Sequence, residues 1–84
     1  MKPVTIYTTG SCPFCIMAKR FLDKKQVAYT EIRVDREIEK RAEMESLSQR
    51  TSVPQIFIAE THVGGFDDMQ ELAFEGELDK LLQD

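Results

Sequence analysis

The chain has 84 residues, 42% of them hydrophobic and 31% charged, and carries a formal net charge of −4. That length suits one domain over residues 1–84 built on a single core, and the acidic balance argues against nucleic acid as a partner, because phosphate backbones need a basic surface. Apolar runs such as Ile56-Phe57-Ile58-Ala59 fall far short of the ~20 residues a bilayer span requires. The N-terminal MKPVTIYTTG has no apolar stretch long enough for a secretory signal, so a cytoplasmic protein without a membrane partner is expected.

Val4-Thr5-Ile6-Tyr7-Thr8 is β-branched and aromatic and predicts a first strand, which Gly10 and Ser11 interrupt. Phe14, Met17, Ala18, Phe21 and Leu22 follow at i, i+3, i+4, i+7 and i+8, the spacing of a buried helical stripe. Pro13 suits the first helical position, where a missing N–H costs nothing. A second strand is expected over 27–34. Residues 36–48 are rich in Glu, Lys and Arg. They predict a solvated amphipathic helix with Ile38, Ala42, Met44 and Leu47 on its apolar side.

A loop through Arg50-Thr51-Ser52 leads into Val53-Pro54 and a third strand over 55–59. Glu60-Thr61 turns the chain into a short fourth strand at His62-Val63, which Gly64-Gly65 ends. Asp67 and Asp68 have the character of helix N-caps, each followed three residues later by Gln70 or Glu71. The helix they open carries Met69, Leu72 and Ala73, Gly76 is a natural stop, and Leu78, Leu81 and Leu82 mark a last helical turn or two. The order β-α-β-α-β-β-α predicts an α/β fold. The opening βαβ unit makes its strands parallel with a right-handed crossover, the last two strands form a hairpin, and one mixed four-stranded sheet carries helices on both faces.

The chemistry concentrates in Cys12-Pro13-Phe14-Cys15, which holds both cysteines of the chain. As a structural staple the pair is poor, because closing so short a loop removes at most about 2 kcal/mol of unfolded-state entropy. A structural zinc site needs four ligands. His62 is the only histidine, and it reads as an exposed turn residue, so no metal is expected. A redox couple fits best. Cys-x-x-Cys between a strand and a helix is a thioredoxin-like motif. Unpaired N–H groups and the helix dipole at that position favour an anion. The thiolate is the nucleophile, and a free thiol of pKa ~8.5 is only about 3% ionised at pH 7. Cys12, ahead of the helix, is expected to be exposed and to attack. Cys15, inside the first turn, is expected to be shielded and to resolve. Lys19, four residues past Cys15, either assists the thiolate or is simply solvated.

The chain resembles the glutaredoxins, most closely the small bacterial dithiol class. The resemblance covers nearly its whole length. It rests on Cys12-Pro13-Phe14-Cys15, on Ser52-Val53-Pro54 and on Gly64-Gly65-Phe66-Asp67-Asp68, in that order. Thioredoxins share the fold but are longer and typically carry Trp-Cys-Gly-Pro-Cys.

The resemblance implies a thioredoxin-like (glutaredoxin) fold and a monomeric glutathione–disulfide oxidoreductase with Cys12 and Cys15 as catalytic residues. Glutathione is the implied co-substrate, and disulfide-containing or glutathionylated proteins are the implied partners. Phe14, Arg50, Ser52, Val53, Pro54, Gly65, Asp67 and Asp68 would contact glutathione. Pro54 is expected to be cis, with the Val53 N–H and C=O free to pair with an extended peptide. Asp68 is expected to meet the glutathione amine, and the helix start behind Gly65 to meet a carboxylate.

One position departs from the family pattern. Many glutaredoxins carry Lys three residues before the first cysteine, where this chain has Thr9, and Arg50 is the residue placed to substitute. Two other readings stay open: a dimeric module holding a [2Fe–2S] cluster through Cys12-type thiolates and glutathione, which Pro13 argues against, and a thioredoxin-like donor served by a flavoprotein reductase.

Overall fold

The computed structural model describes residues Met1–Asp84. Strand β1 (Val4–Thr8) leads into helix α1 (Pro13–Lys24), then β2 (Thr30–Arg33), α2 (Ile38–Ser48), β3 (Gln55–Ile58), β4 (Thr61–Gly64), α3 (Phe66–Phe74) and α4 (Glu77–Leu82). The strands form one sheet in the order β2-β1-β3-β4. β1 runs parallel to β2, with Ile6 opposite Glu31 and Tyr7 opposite Ile32. It runs antiparallel to β3, which pairs antiparallel with β4. The expected mixed four-stranded sheet is present. No helix is long and apolar enough to cross a membrane.

Alternation along β1 and β3 sorts side chains onto two faces. On one face Val4, Ile6, Ile56 and Ile58 pack with Ala18 and Leu22 of α1, Met69 of α3, and Leu78 and Leu82 of α4. On the other, Tyr7 and Phe57 pack with Val34 and with Met44 of α2. Each such aliphatic side chain contributes roughly 1.5–3 kcal/mol when fully buried. Helices therefore cover both faces. Leu78 and Leu82 belong to a separate fourth helix, set off from α3 by Gly76 at φ 78°, where the seven-element pattern allowed only a terminal turn or two.

Several boundaries and faces differ from the sequence reading. β2 begins at Thr30 rather than Val27, because Gln26 takes a left-handed turn (φ 60°) and Val27 drops into the core as a loop residue. β3 ends at Ile58, because Ala59 turns at φ 52°. α2 starts at Ile38 rather than 36. Ile38 is 77% exposed and Leu47 57%, so Met44, not an extended stripe, holds α2 to the sheet. In α1 the buried line is Cys15, Ala18 and Leu22, with Phe21 flanking it. Phe14 and Met17 face outward, at 53% and 44% exposure.

Candidate active site

Cys12 is the N-cap of α1 and Pro13 its first residue. In this position the Cys12 Sγ accepts a hydrogen bond from the Cys15 N–H at 3.0 Å, and the Cys12 carbonyl accepts from Ile16 N–H at 3.1 Å. Cys12 and Cys15 are joined as a disulfide, with Cα atoms 5.1 Å apart. No acidic side chain stands in the first turn of α1, so nothing there opposes an anionic sulfur. The cysteines keep the expected order of burial, 8% exposure for Cys12 against 1% for Cys15. Cys12 is nevertheless buried rather than exposed. Its sulfur folds back to cap the helix and lies 3.7 Å from the Val53 carbonyl oxygen. Lys19 is paired with Glu31 at 2.9 Å, and Glu31 also accepts from the Thr8 hydroxyl at 2.7 Å. These two bonds, Thr8 first, hold the Glu31 carboxyl below its ordinary range. The Lys19 charge is therefore already matched by a carboxylate.

The loop between β1 and α1 is tied to the end of β2. The Gly10 N–H donates to Asp35 Oδ2 at 3.1 Å, and Asp35 receives Arg33 Nε and Nη2, both at 2.8 Å. The Arg33 guanidinium holds the Asp35 carboxyl far below the usual carboxylate range.

The loop that faces the disulfide is pinned residue by residue. Gln49 ends α2 in the left-handed conformation. The Arg50 N–H donates to Ser48 Oγ at 3.0 Å while that hydroxyl donates to the Arg50 carbonyl at 3.1 Å. Arg41 Nη2 donates to the Thr51 carbonyl at 2.8 Å, and Gln55 Nε2 donates to the Ser52 carbonyl at 3.0 Å. The Val53–Pro54 bond is cis. The Val53 N–H has no acceptor within the protein.

Between this loop and the start of α3 runs a groove of about 260 Å³, lined by Phe14, Ser52, Val53, Pro54, Gly65, Phe66, Asp67 and Asp68. The Phe14 and Phe66 rings, with centroids 6.3 Å apart, form its apolar end. Neither Asp67 nor Asp68 is the N-cap of α3, because Gly65 takes that role one residue before the helix. Asp68, at the third helical position, reaches back to accept the Gly65 N–H at 2.8 Å, half of a capping box. Its side chain also fills the space that a Cβ on Gly64 (φ +113°) would need, which reserves that position for glycine. Arg50, at the rim, donates Nη1 to the same Asp68 oxygen at 2.8 Å. Arg50 and then the Gly65 N–H lower the Asp68 pKa, so this carboxylate is ionised at neutral pH.

His62 is half-buried in β4, not exposed in a turn. Its ring stacks on Phe57 at 5.0 Å and bonds Gln55 Oε1 through Nε2 at 2.7 Å. Burial, then Arg50, lowers its pKa. Gln55 is fully buried and was not singled out by the sequence. Its only signal there is its place directly after Val53-Pro54. A larger hollow of about 530 Å³, bounded by Met1, Lys25, Val27, Asp79 and Leu82, contains no thiol. No group of three or more His, Cys, Asp or Glu side chains is arranged to hold a metal ion.

A disulfide capping the first helix of a βαβ unit, set against a cis-proline loop, defines a thiol–disulfide oxidoreductase of thioredoxin-like fold. Comparison with known proteins narrows the class. The glutaredoxin family model matches residues 4–63. A glutaredoxin of Neisseria meningitidis is 57% identical over 83 residues, covering 98% of each chain. The solution structure of a Brucella melitensis glutaredoxin superposes with a TM-score of 0.85 at 48% identity, covering 98% of this chain and 89% of that one. A buckwheat glutaredoxin–glutathione complex superposes with a TM-score of 0.88 at 26% identity, covering 96% and 76%. The chain belongs to the glutaredoxin family.

Proposed function

We propose that this glutaredoxin reduces glutathione mixed disulfides and protein disulfides with glutathione as the electron source. One observation carries the reading: the Cys12 sulfur lies 3.7 Å from the Val53 carbonyl, at a groove whose free backbone donor and charged rim match a short, acidic, extended peptide. The Val53 N–H and C=O pair with the peptide backbone as in strand addition. The start of α3 behind Gly65, with Arg50, receives a carboxylate, and Asp68 and the neighbouring Asp67 present negative charge to the amine. Ser52 and Pro54 form the wall beneath, and Phe14 covers the sulfur end.

The Cys12 thiolate, favoured by the Cys15 N–H and the α1 dipole, attacks the glutathione sulfur of a mixed disulfide. The S–S bond breaks, and the substrate sulfur leaves as a thiolate and takes a proton from solvent. Cys12 now carries glutathione. The thiolate of a second glutathione attacks that glutathione sulfur, releasing oxidised glutathione and regenerating the Cys12 thiolate. For a protein disulfide, Cys12 forms a mixed disulfide with one substrate sulfur. The Cys15 thiolate then attacks Cys12 Sγ, expels the reduced substrate and leaves the Cys12–Cys15 disulfide, which two glutathione molecules reduce.

Paired cysteine variants test this scheme. Cys12→Ser is expected to lose both reactions to background. Cys15→Ser is expected to retain removal of glutathione from mixed disulfides and to lose reduction of substrates that need the internal disulfide. Activity surviving in Cys12→Ser, or both variants losing both reactions alike, contradicts it.

A further inference from the structure

We infer that Gln55, backed by His62, is a positioning residue that aims the Val53 N–H at the ligand. The inference rests on the proposed glutathione reading and adds to it two residues that do not line the groove.

Gln55 is 0% exposed. A buried amide must have its polar atoms satisfied, and here both ends are engaged, the nitrogen by groove-lining Ser52 and the oxygen by His62 behind it. Gln55 Nε2 donates to the Ser52 carbonyl at 3.0 Å and lies 3.4 Å from Ser52 Oγ. Gln55 Oε1 accepts from His62 Nε2 at 2.7 Å. Those contacts fix the amide orientation, with nitrogen toward Ser52 and oxygen toward the ring. They also fix the tautomer of a neutral His62, with hydrogen on Nε2. His62 is itself held by its stack on Phe57.

The consequence follows from peptide geometry. The Ser52–Val53 peptide is trans, since Val53–Pro54 is the chain's one cis bond. In a planar trans peptide the C=O and the following N–H point in opposite directions. With the Ser52 carbonyl drawn inward to buried Gln55, the Val53 N–H points the other way, to the groove side of the loop. Like the Thr51 and Ser52 N–H groups of the same loop, it has no acceptor in the protein. Arg41 and Ser48 hold the carbonyls of Thr51 and Arg50. Only Gln55 sets the peptide plane that carries the ligand-facing donor. Without it that plane is free to rotate, and the donor must be ordered when the ligand binds, which weakens binding without touching the thiols.

Three variants test this, each assayed by steady-state turnover of a glutathione mixed disulfide with the mixed disulfide varied at fixed glutathione, and by titration of the Cys12 thiolate absorbance. Gln55→Met keeps length and removes the donor. Gln55→Glu keeps the acceptor for His62 but sets a carboxylate against the Ser52 carbonyl. His62→Phe keeps the ring on Phe57 and removes the N–H. The two Gln55 variants are expected to raise KM for the glutathione mixed disulfide about five- to tenfold, the value of one oriented hydrogen bond. His62→Phe is expected to raise it about twofold by loosening Gln55. In all three, kcat and the thiolate titration stay at wild-type values, and the Val53 amide proton resonance shifts and broadens. An unchanged KM in a folded Gln55 variant overturns the inference, as does a loss confined to kcat. If Gln55→Met does not fold, Gln55→Glu and His62→Phe decide between the same outcomes. A wild-type protein that fails to turn over with glutathione defeats the proposed function instead, so the two failures are distinguishable.

Discussion

The Cys12 sulfur, at the N-cap of α1, accepts the Cys15 N–H in the oxidised protein, and a donor at that position favours an anionic sulfur. Thr9, three residues upstream, contributes no charge where many glutaredoxins have Lys. Thr9→Lys is expected to lower KM for a glutathione mixed disulfide about two- to fivefold at low salt, because a partly exposed ammonium–carboxylate pair is worth up to about 1 kcal/mol. The gain should shrink as salt is added. An unchanged KM at low salt means that Arg50 and the α3 N–H groups already satisfy the carboxylate. The Cys12 and Cys15 pairing was legible in the sequence, because two cysteines three positions apart at a strand–helix junction are a local pattern. Gln55 was not. Its role comes from His62 and Ser52, which lie on either side of it in the chain and meet only through the β3–β4 hairpin and the loop.

Among the elements, α1 shows why periodicity alone misplaced a face. The stripe reads through Phe14 and Met17 to Ala18, Phe21 and Leu22, yet the helix is rotated to bury Cys15 with Ala18 and Leu22, turning Met17 outward and leaving Phe14 beside the groove. The same logic applies to α3, where two aspartates suggested a cap and Gly65 supplied it. The strands and helix order were legible because they depend on short-range alternation and breakers. Packing in α1 depends on Leu22, 1% exposed and central to the larger core. Leu22→Ala is expected to destabilise the protein by about 3 kcal/mol in urea denaturation.

On the opposite face α2 is fastened by the Tyr7 hydroxyl, which donates to Glu43 Oε2 at 2.8 Å. Burial first, then the Glu43 bond and charge, pushes the Tyr7 pKa up from 10.0 to about 12. A raised folded-state pKa means the folded chain holds its proton more tightly. The associated stability is fully present below pH 10 and is lost as pH climbs toward 12. Denaturation at increasing alkaline pH should therefore show wild type losing its advantage over Tyr7→Phe across that window. A constant difference between the two would mean that the Tyr7 proton does not contribute.

For the molecule as a whole, one sheet brings together three segments distant in sequence: the α1 start, the Ser52–Pro54 loop and the α3 start. The electron source is the claim with most at stake, because a thioredoxin-like donor would use the same disulfide with a flavoprotein reductase in place of glutathione. The deciding measurement is turnover of one disulfide substrate with two reducing systems in parallel: glutathione regenerated from NADPH by glutathione reductase, and thioredoxin reductase with NADPH but no glutathione. Rapid, glutathione-dependent turnover is expected in the first and background in the second. Turnover with thioredoxin reductase, and none with glutathione, would contradict that claim.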